Sequence, residues 1–217
     1  MLDDRTPVRS KLVCVALNDP EHFESLQADF RAPPYGKPPT RPVLYYKPRN
    51  TWSHDGATVE IPDGKSLVVG ASVGVVIGKA CCRAKPSDAL AYIGAYCLVH
   101  DFSLPEASYY RPDIKGKCLD GSAPVGTPTP ASEVVDPSGL GLTMEVNGEP
   151  RARVAVSSLA RGIEELVSEI SHIMTLEPGE VIAVGFNGER VAVRDGDEVS
   201  TTGDRLPSLT NTIGTPR

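Results

Sequence analysis

LVVGASVGVVIGKACCRAKPSDALAYIGAYCLVHDFSLPEASYYRPDIKGKCLDGSAPVGT, residues 67–127, is the stretch from which the rest of this 217-residue chain can be read. It opens with a run through Val75, Val76 and Ile77. β-Branched side chains suit a pleated surface packed on both faces, so a buried strand is expected there, broken by Gly78. Pro86, Ser87 and Asp88 form a helix-start cluster, and the spacing of Ala89, Leu90, Tyr92 and Ile93 predicts one apolar face of a short helix. After Gly94 comes a polar, charged and aromatic passage that includes His100, Asp101, Ser103, Glu106, Tyr109, Tyr110, Arg111, Asp113, Lys115, Lys117 and Asp120. Pro105 and Pro112 make much of it irregular, and irregular segments on a rigid scaffold are where sites usually sit. The chemistry is expected here.

Upstream, KLVCVAL (11–17) suits a strand that Asn18, Asp19, Pro20 and Glu21 end. FRAPPYGKPPTRP (30–42) is dense in proline and glycine and reads as a connector or ordered arm, not a helix. VLYYKPRNTW (43–52) reads as a strand and turn, and ATVEIPDG (57–64) as another, shorter one. Downstream, alternation from Leu140 to Val146 before Asn147, Gly148 and Glu149 signals a hairpin, with RARVAV (151–156) returning. Ser157 and Ser158 are expected to cap a helix whose apolar stripe is Leu159, Ile163, Leu166, Val167, Ile170 and Ile173, stopped by Pro178 and Gly179. VIAVG, RVAVRDGDEV and the C-terminal stretch predict three more short strands.

Length favours one sizeable core over two small ones. The formal charge is −6, from 28 acidic and 22 basic residues. They are spread along the chain with no basic tract, which argues against nucleic-acid binding. No apolar run approaches the roughly 20 residues that span a bilayer, and MLDDRTPVRSK lacks the apolar core of a signal peptide, so a cytoplasmic, membrane-free protein is expected. Cys14, Cys81, Cys82, Cys97 and Cys118 are odd in number and lack metal-ligand spacing. Most sit in apolar strings as small hydrophobes.

The string VVIGKACCRAKPSDALAYIGAYCLVHDFS resembles the core signature of the fumarylacetoacetate hydrolase family, with its V-V-I-G-K-like strand end, helix, and N-D-x-S/T turn. SLPEASYYRPDIKGKCLDGSAPVG is similar, within that family, to the N-terminal half or subunit of the bifunctional isomerase/decarboxylases of 4-hydroxyphenylacetate breakdown. The resemblance runs from Lys11 to Ile213. It implies an α+β, mostly β fold: a rolled sheet with a few short helices. On this basis residues 1–40 are an N-terminal strand and Pro-rich arm, 41–213 the family domain and 214–217 a tail. The implied substrates are 2-hydroxyhepta-2,4-diene-1,7-dioate and its tricarboxylate precursor.

The same resemblance places the site. Metal-using members carry E-x-E just before the V-V-I-G-K run and an aspartate in the later turn. Here Gly70 and Ser72 stand at the two glutamate positions, while Asp101 keeps the third. Because Mg²⁺ demands several oxygen ligands in near-octahedral geometry, no tightly bound ion is expected in this chain, with His100 or Glu106 the only substitute ligands in view. Mg or Mn is expected instead in a paralogous partner subunit, the assembly being a homodimer or a heterodimer. Lys117 matches the family's active-site lysine. The family's G-[KR]-N-Y-x-x-H turn reads ALNDPEH, keeping Asn18 and His22. The glutamate that works with this histidine in some members is replaced by Ser25, with Glu24 beside it. Lys47, Pro48 and Thr51 keep an F-x-K-P-type turn. Pro105 and Ala152 replace an arginine and a glutamine, and Val184, Gly185, Phe186 and Asn187 replace a T-G-T-P turn. Tyr109 and Arg111, with Tyr110, fit either a pocket for a di- or tricarboxylate or a partner interface.

Two functions follow. One is an isomerase without its own divalent ion, with Lys117, His22 and Asp101 as acid, base and anchor, and Asn18, Tyr109 and Arg111 binding substrate. The other is a noncatalytic structural partner of a metal-competent paralogous subunit.

Overall fold

The computed structural model describes residues 6–106, 108–111, 113–186 and 188–215. In chain order its strands are β1 (Leu12–Ala16), β2 (Val43–Lys47), β3 (Trp52–His54), β4 (Thr58–Glu60), β5 (Leu67–Ile77), β6 (Ile93–Ser103) and β7 (Ala123–Val125). They continue with β8 (Thr129–Pro130), β9 (Gly141–Val146), β10 (Glu149–Ala155), β11 (Val181–Ala183), β12 (Val191–Val193), β13 (Glu198–Gly203) and β14 (Leu206–Gly214). The helices are α1 (Pro20–Ser25), α2 (Gln27–Arg31), α3 (Ile114–Lys117) and α4 (Ile163–Ile173). The fold is α+β and mostly β, as expected.

One sheet runs β2-β1-β11-β5-β6-β7-β3, with β12 also paired to β5 and β8 to β6; the second runs β10-β9-β13-β14-β4. Every residue of β5 is buried. Its odd-numbered face, Val69, Ala71, Val73 and Val75, joins the main core, to which Leu142, Met144, Val199 and Leu209 of the second sheet also belong. Each such valine, fully buried, is worth about 1.5–3 kcal/mol. The even-numbered face carries Gly70, Ser72 and Gly74, residues with little or no side chain, opposite Asp101, Val99 and Cys97 of β6. Small residues on that face let neighbours pack close, Arg190 over Gly70 and Cys97, Val99 and Val181 over Gly74.

The hairpin from β9 to β10 turns on Asn147 and Gly148, with φ of 54° and 80°, the left-handed pair a tight two-residue turn requires. Several local expectations are corrected. Residues Pro86–Tyr92 form a 3-10 helix with no side-chain cap, burying Ala89 alone, and Ile93 opens β6. Ser157 and Ser158 lie in a 3-10 turn, whereas α4 starts after Gly162. Ile163, Leu166, Val167 and Ile170 are its buried stripe; Ile173 is 63% exposed at the frayed end. Phe30 and Arg31, expected in the connector, close α2. RVAVRDGDEV is divided by a turn between β12 and β13, so the stretch after α4 has four strands where three were expected. The cysteines are free, with Cys14, Cys81 and Cys97 buried. Burial pushes the Cys14 and Cys97 thiols up to about 12, which suits inert core residues. Among the described residues no helix is long and apolar enough to cross a membrane.

Candidate active site

Asp101 is the centre of the site. Alternation along β6 points it to the small-residue face of β5 and sends His100 to the opposite face. There His100 is fully buried between Asn211 (Nδ1 to Oδ1, 2.9 Å) and Thr201 (Nε2 to Oγ1, 2.7 Å). Burial lowers its pKa to about 4, against the opposing Asn211 hydrogen bond and the Asp55 charge. His100 is therefore a core residue whose ring nitrogens are both engaged, which leaves it unsuited to the substitute-ligand role considered above.

Four side chains from distant segments converge on the buried Asp101 carboxylate. Tyr45 of β2 donates to Oδ2 at 2.5 Å. Arg190, just before β12, places Nη2 2.8 Å from the same oxygen and donates from Nη1 to the Asp101 carbonyl at 3.1 Å. Lys47 lies 2.6 Å from Oδ1 with both side chains wholly buried. Its hydrogen bonds run to Phe102 O and Lys117 O at 2.8 Å and to Ser122 Oγ at 3.1 Å. Oδ1 is thus paired with the buried Lys47 ammonium. Lys117, at the end of α3, lies 3.8 Å from Oδ2. Burial alone would raise the Asp101 pKa, but Lys47, then Arg190 and Lys117, hold it far below the ordinary carboxylate range. Burial and the Asp101 charge together push the Tyr45 hydroxyl well above its usual value.

Above this cluster opens a cleft of about 400 Å³ lined by Tyr45, Glu106, Tyr109, Tyr110, Arg111 and Lys117, among others. A narrower recess continues from it, sharing Tyr45, Glu106, Tyr109 and Lys117 and adding His22 and Arg190. Lys117 is held loosely. Its ammonium contacts among the described residues are Glu106 at 3.3 Å, Ser103 Oγ at 3.4 Å and Asp101, and it stands 5.0 Å from the Tyr45 ring centre. His22 sits in α1, whose first turn is capped by Asp19, and its Nε2 hydrogen-bonds the Tyr109 hydroxyl at 3.1 Å. Burial, then the Glu106 charge, raise the Tyr109 pKa against the opposing pull of Arg190. Tyr35 braces the aromatic loop, its hydroxyl accepting from Tyr109 N at 2.8 Å and its ring meeting Tyr110 edge-on at 5.6 Å.

The structure therefore places Lys117 and Tyr109 where the cleft meets the recess, with Arg111 on the cleft side, His22 on the recess side and Asp101 beneath as anchor of the cations. Asn18 is not among them. Its amide donates to the carbonyls of Val184 at 2.7 Å and Arg161 at 3.0 Å and accepts from Arg161 N at 2.9 Å, a brace between backbone segments with its amide groups occupied. Ser25 donates to the His22 carbonyl and Glu24 is exposed, so the partner of the His22 ring is Tyr109. Pro112 and Asn187 lie outside the described residues. Arg190 and Tyr45 were missed in the sequence. Arg190 is 89 positions from Asp101, and nothing in its neighbourhood signals a buried counter-charge.

Fitness for a divalent cation is decided by the donor set. Among the described residues no three His, Cys, Asp or Glu side chains cluster as metal ligands. Asp101 is already surrounded by three cations, Ser72 Oγ donates to Val73 O at 2.9 Å, and Gly70 has no donor at all. A dication brought to that carboxylate meets repulsion and too few oxygens. The residues present do not fit the ion.

A comparison with known proteins identifies the framework. The 4-hydroxyphenylacetate degradation bifunctional isomerase/decarboxylase of Salmonella dublin is 37% identical over 206 residues, covering 95% of this chain and 47% of that protein. The chain thus spans about half the length of these bifunctional relatives. Fumarylpyruvate hydrolase from Pseudomonas aeruginosa, solved in complex with Mn²⁺ and pyruvate, superposes with a TM-score of 0.81 at 26% identity, covering 99% of this chain and 93% of that one. The 2-hydroxyhepta-2,4-diene-1,7-dioate isomerase from Mycobacterium marinum gives 0.79 at 27% identity, covering 96% and 75%. The model of the fumarylacetoacetate hydrolase C-terminal domain matches residues 11–214, and the chain belongs to that family.

Proposed function

We propose that the chain works in 4-hydroxyphenylacetate breakdown as an isomerase acting on 2-hydroxyhepta-2,4-diene-1,7-dioate, within an isomerase/decarboxylase assembly. The observation that carries this reading is the pairing, in one cleft, of a cationic floor with a His–Tyr couple. Lys117 and Arg190 attract the oxygens of a 2-hydroxy or 2-oxo acid, and Arg111 at the rim suits the distal carboxylate. About 400 Å³ lies within the range of ordinary small-molecule sites. Isomerisation moves one proton from the enol oxygen to a chain carbon as the double bonds shift, without any oxidant or reductant. The hydrogen-bonded His22 and Tyr109 form the relay placed to carry that proton, while Lys117 stabilises negative charge on the oxygen it leaves. Asp101 takes no proton in this scheme; strongly ionised and buried, it fixes the cations.

A second reading is favoured by one observation: the chain matches only 47% of its bifunctional relative. In that reading it is the noncatalytic half, and a paralogous subunit carries the metal. The deciding assay follows loss of the diene absorbance with the purified chain, alone and with a metal-competent paralogue. Turnover by the chain alone, reduced by Lys117→Ala by about 100-fold or more, supports the isomerase, since one lost charge-stabilising donor has that order of effect. Activity only in the mixture, indifferent to Lys117→Ala, supports the structural partner.

A further inference from the structure

Gly70 and Arg190 form one device. Strand β12 pairs with β5 so that Val191 faces Val69, and this register lays Arg190 across Gly70. A Cβ built on Gly70 would stand 2.5 Å from Arg190 Nη1 and 3.0 Å from Cζ, so any side chain at position 70 displaces the guanidinium. The guanidinium is supported from both sides, by Asp101 and Tyr45 (Nη2 to Oη, 3.1 Å) and by the Phe186 ring, whose centre lies 4.3 Å from Cζ. Phe186 replaces a threonine of the family's turn, and the replacement supplies the aromatic face that a guanidinium stacks on. Arg190 nevertheless remains 21% exposed, lining the recess beside Lys117.

We propose that the Arg190 guanidinium occupies the place and role of a divalent cation at Asp101, so that the site binds the paired oxygens of a 2-oxo or 2-hydroxy acid through Arg190 and Lys117 without any metal. This rests on the reading of the cleft as a site for such acids and adds the means of holding them. Three of the five guanidinium N–H groups are used on Asp101 and Tyr45, which leaves two for a ligand oxygen, and Lys117 adds an ammonium whose described contacts are 3.3 Å or longer. Lys47, Arg190 and Lys117 outnumber the Asp101 and Glu106 carboxylates they touch, and Asp19, the other carboxylate lining the recess, is engaged as the cap of α1.

The probe is oxalate, a dianion with adjacent oxygens like those of a 2-oxo acid, titrated calorimetrically into the full chain in EDTA. Mn²⁺ is followed in parallel by its electron paramagnetic resonance signal. Oxalate is expected to bind in EDTA, and Arg190→Ala to weaken it by at least about tenfold, the usual scale for a charge-assisted hydrogen bond. Gly70→Ala, which removes no polar group but fills the guanidinium's space, is expected to weaken it similarly. Mn²⁺ is expected to stay free with the wild-type chain up to about 1 mM, with or without oxalate, for want of oxygen ligands. Absence of oxalate binding in EDTA, oxalate binding that appears only with Mn²⁺, or unchanged affinity in both variants overturns the proposal. Oxalate binding without turnover of the diene removes the isomerase reading and leaves this one; turnover only with Mn²⁺ does the reverse.

Discussion

Asp101→Asn tests whether the charge cluster holds the fold as well as the site. At 2.6 Å from Lys47, an effective dielectric of about 20 gives a gross attraction of about 6 kcal/mol, most of which offsets the cost of burying both charges. Asparagine fills nearly the same volume but removes the charge, leaving Lys47 wholly buried against neutral carbonyls and a hydroxyl. An ion orphaned in this way costs about 3–5 kcal/mol. Arg190 adds less, because its partial exposure lets solvent screen it. For a chain of this size that loss lowers the melting temperature by about 6–20 °C. Urea unfolding of wild type, Asp101→Asn, Lys47→Met and the double variant completes a thermodynamic cycle, with a coupling of at least about 2 kcal/mol expected between the two positions. A cost below about 1 kcal/mol for Asp101→Asn, or additivity within about 0.5 kcal/mol, would refute the view that Lys47 depends on that carboxylate.

His100 gives stability a pH dependence of known sign. Its folded pKa of about 4 lies below the unfolded 6.5, so the unfolded chain takes up the proton first, and stability present above pH 6.5 is lost as pH falls towards 4. Between about pH 7.5 and 5 this one group removes about 2 kcal/mol. Urea titrations at both pH values should show that increment in wild type and lack it in His100→Gln; equal pH dependence in the two proteins would exclude the assignment. Gly78, just past the end of β5, lies so close to Gly94 of β6 that an added Cβ would stand 2.7 Å from the Gly94 Cα. Gly78→Ala should therefore cost about 1–3 kcal/mol by forcing backbone apart, and an unchanged thermal midpoint would contradict the strand approach.

Much of the fold was legible because its signals are local. The valine run of β5, the Asn147–Gly148 turn and the stripe of α4 each follow from a period or a turn chemistry contained in a few residues. Failures occurred where local signals compete. Ser157 and Ser158 resemble a helix cap, yet the main chain there is a 3-10 turn and Gly162 starts α4 without a side-chain cap. Within the site, Lys117, His22, Tyr109 and Arg111 were readable from the resemblance, and the structure gathers them. Asn18 was assigned to substrate but is occupied by Val184 and Arg161, contacts across more than 140 positions that no motif encodes. Arg190 escaped notice for the same reason, since its meaning comes from the register of β12 on β5.

That register also decides which substitutions report on chemistry. Asp101 and Lys47 are wholly buried and join β6 to β2 and to the turn before β7, so changing either perturbs folding and activity together. Loss of turnover in those variants says little about catalysis unless stability is measured alongside. Lys117, His22 and Tyr109 line the recess, and the Lys117 ammonium has no described polar contact shorter than 3.3 Å. A chain in which Lys117→Ala stays folded and loses turnover has a working site; one in which only Asp101→Asn loses it, in proportion to unfolding, uses this charge cluster as a structural joint. The same cluster serves either outcome, and the residues lining the recess distinguish them.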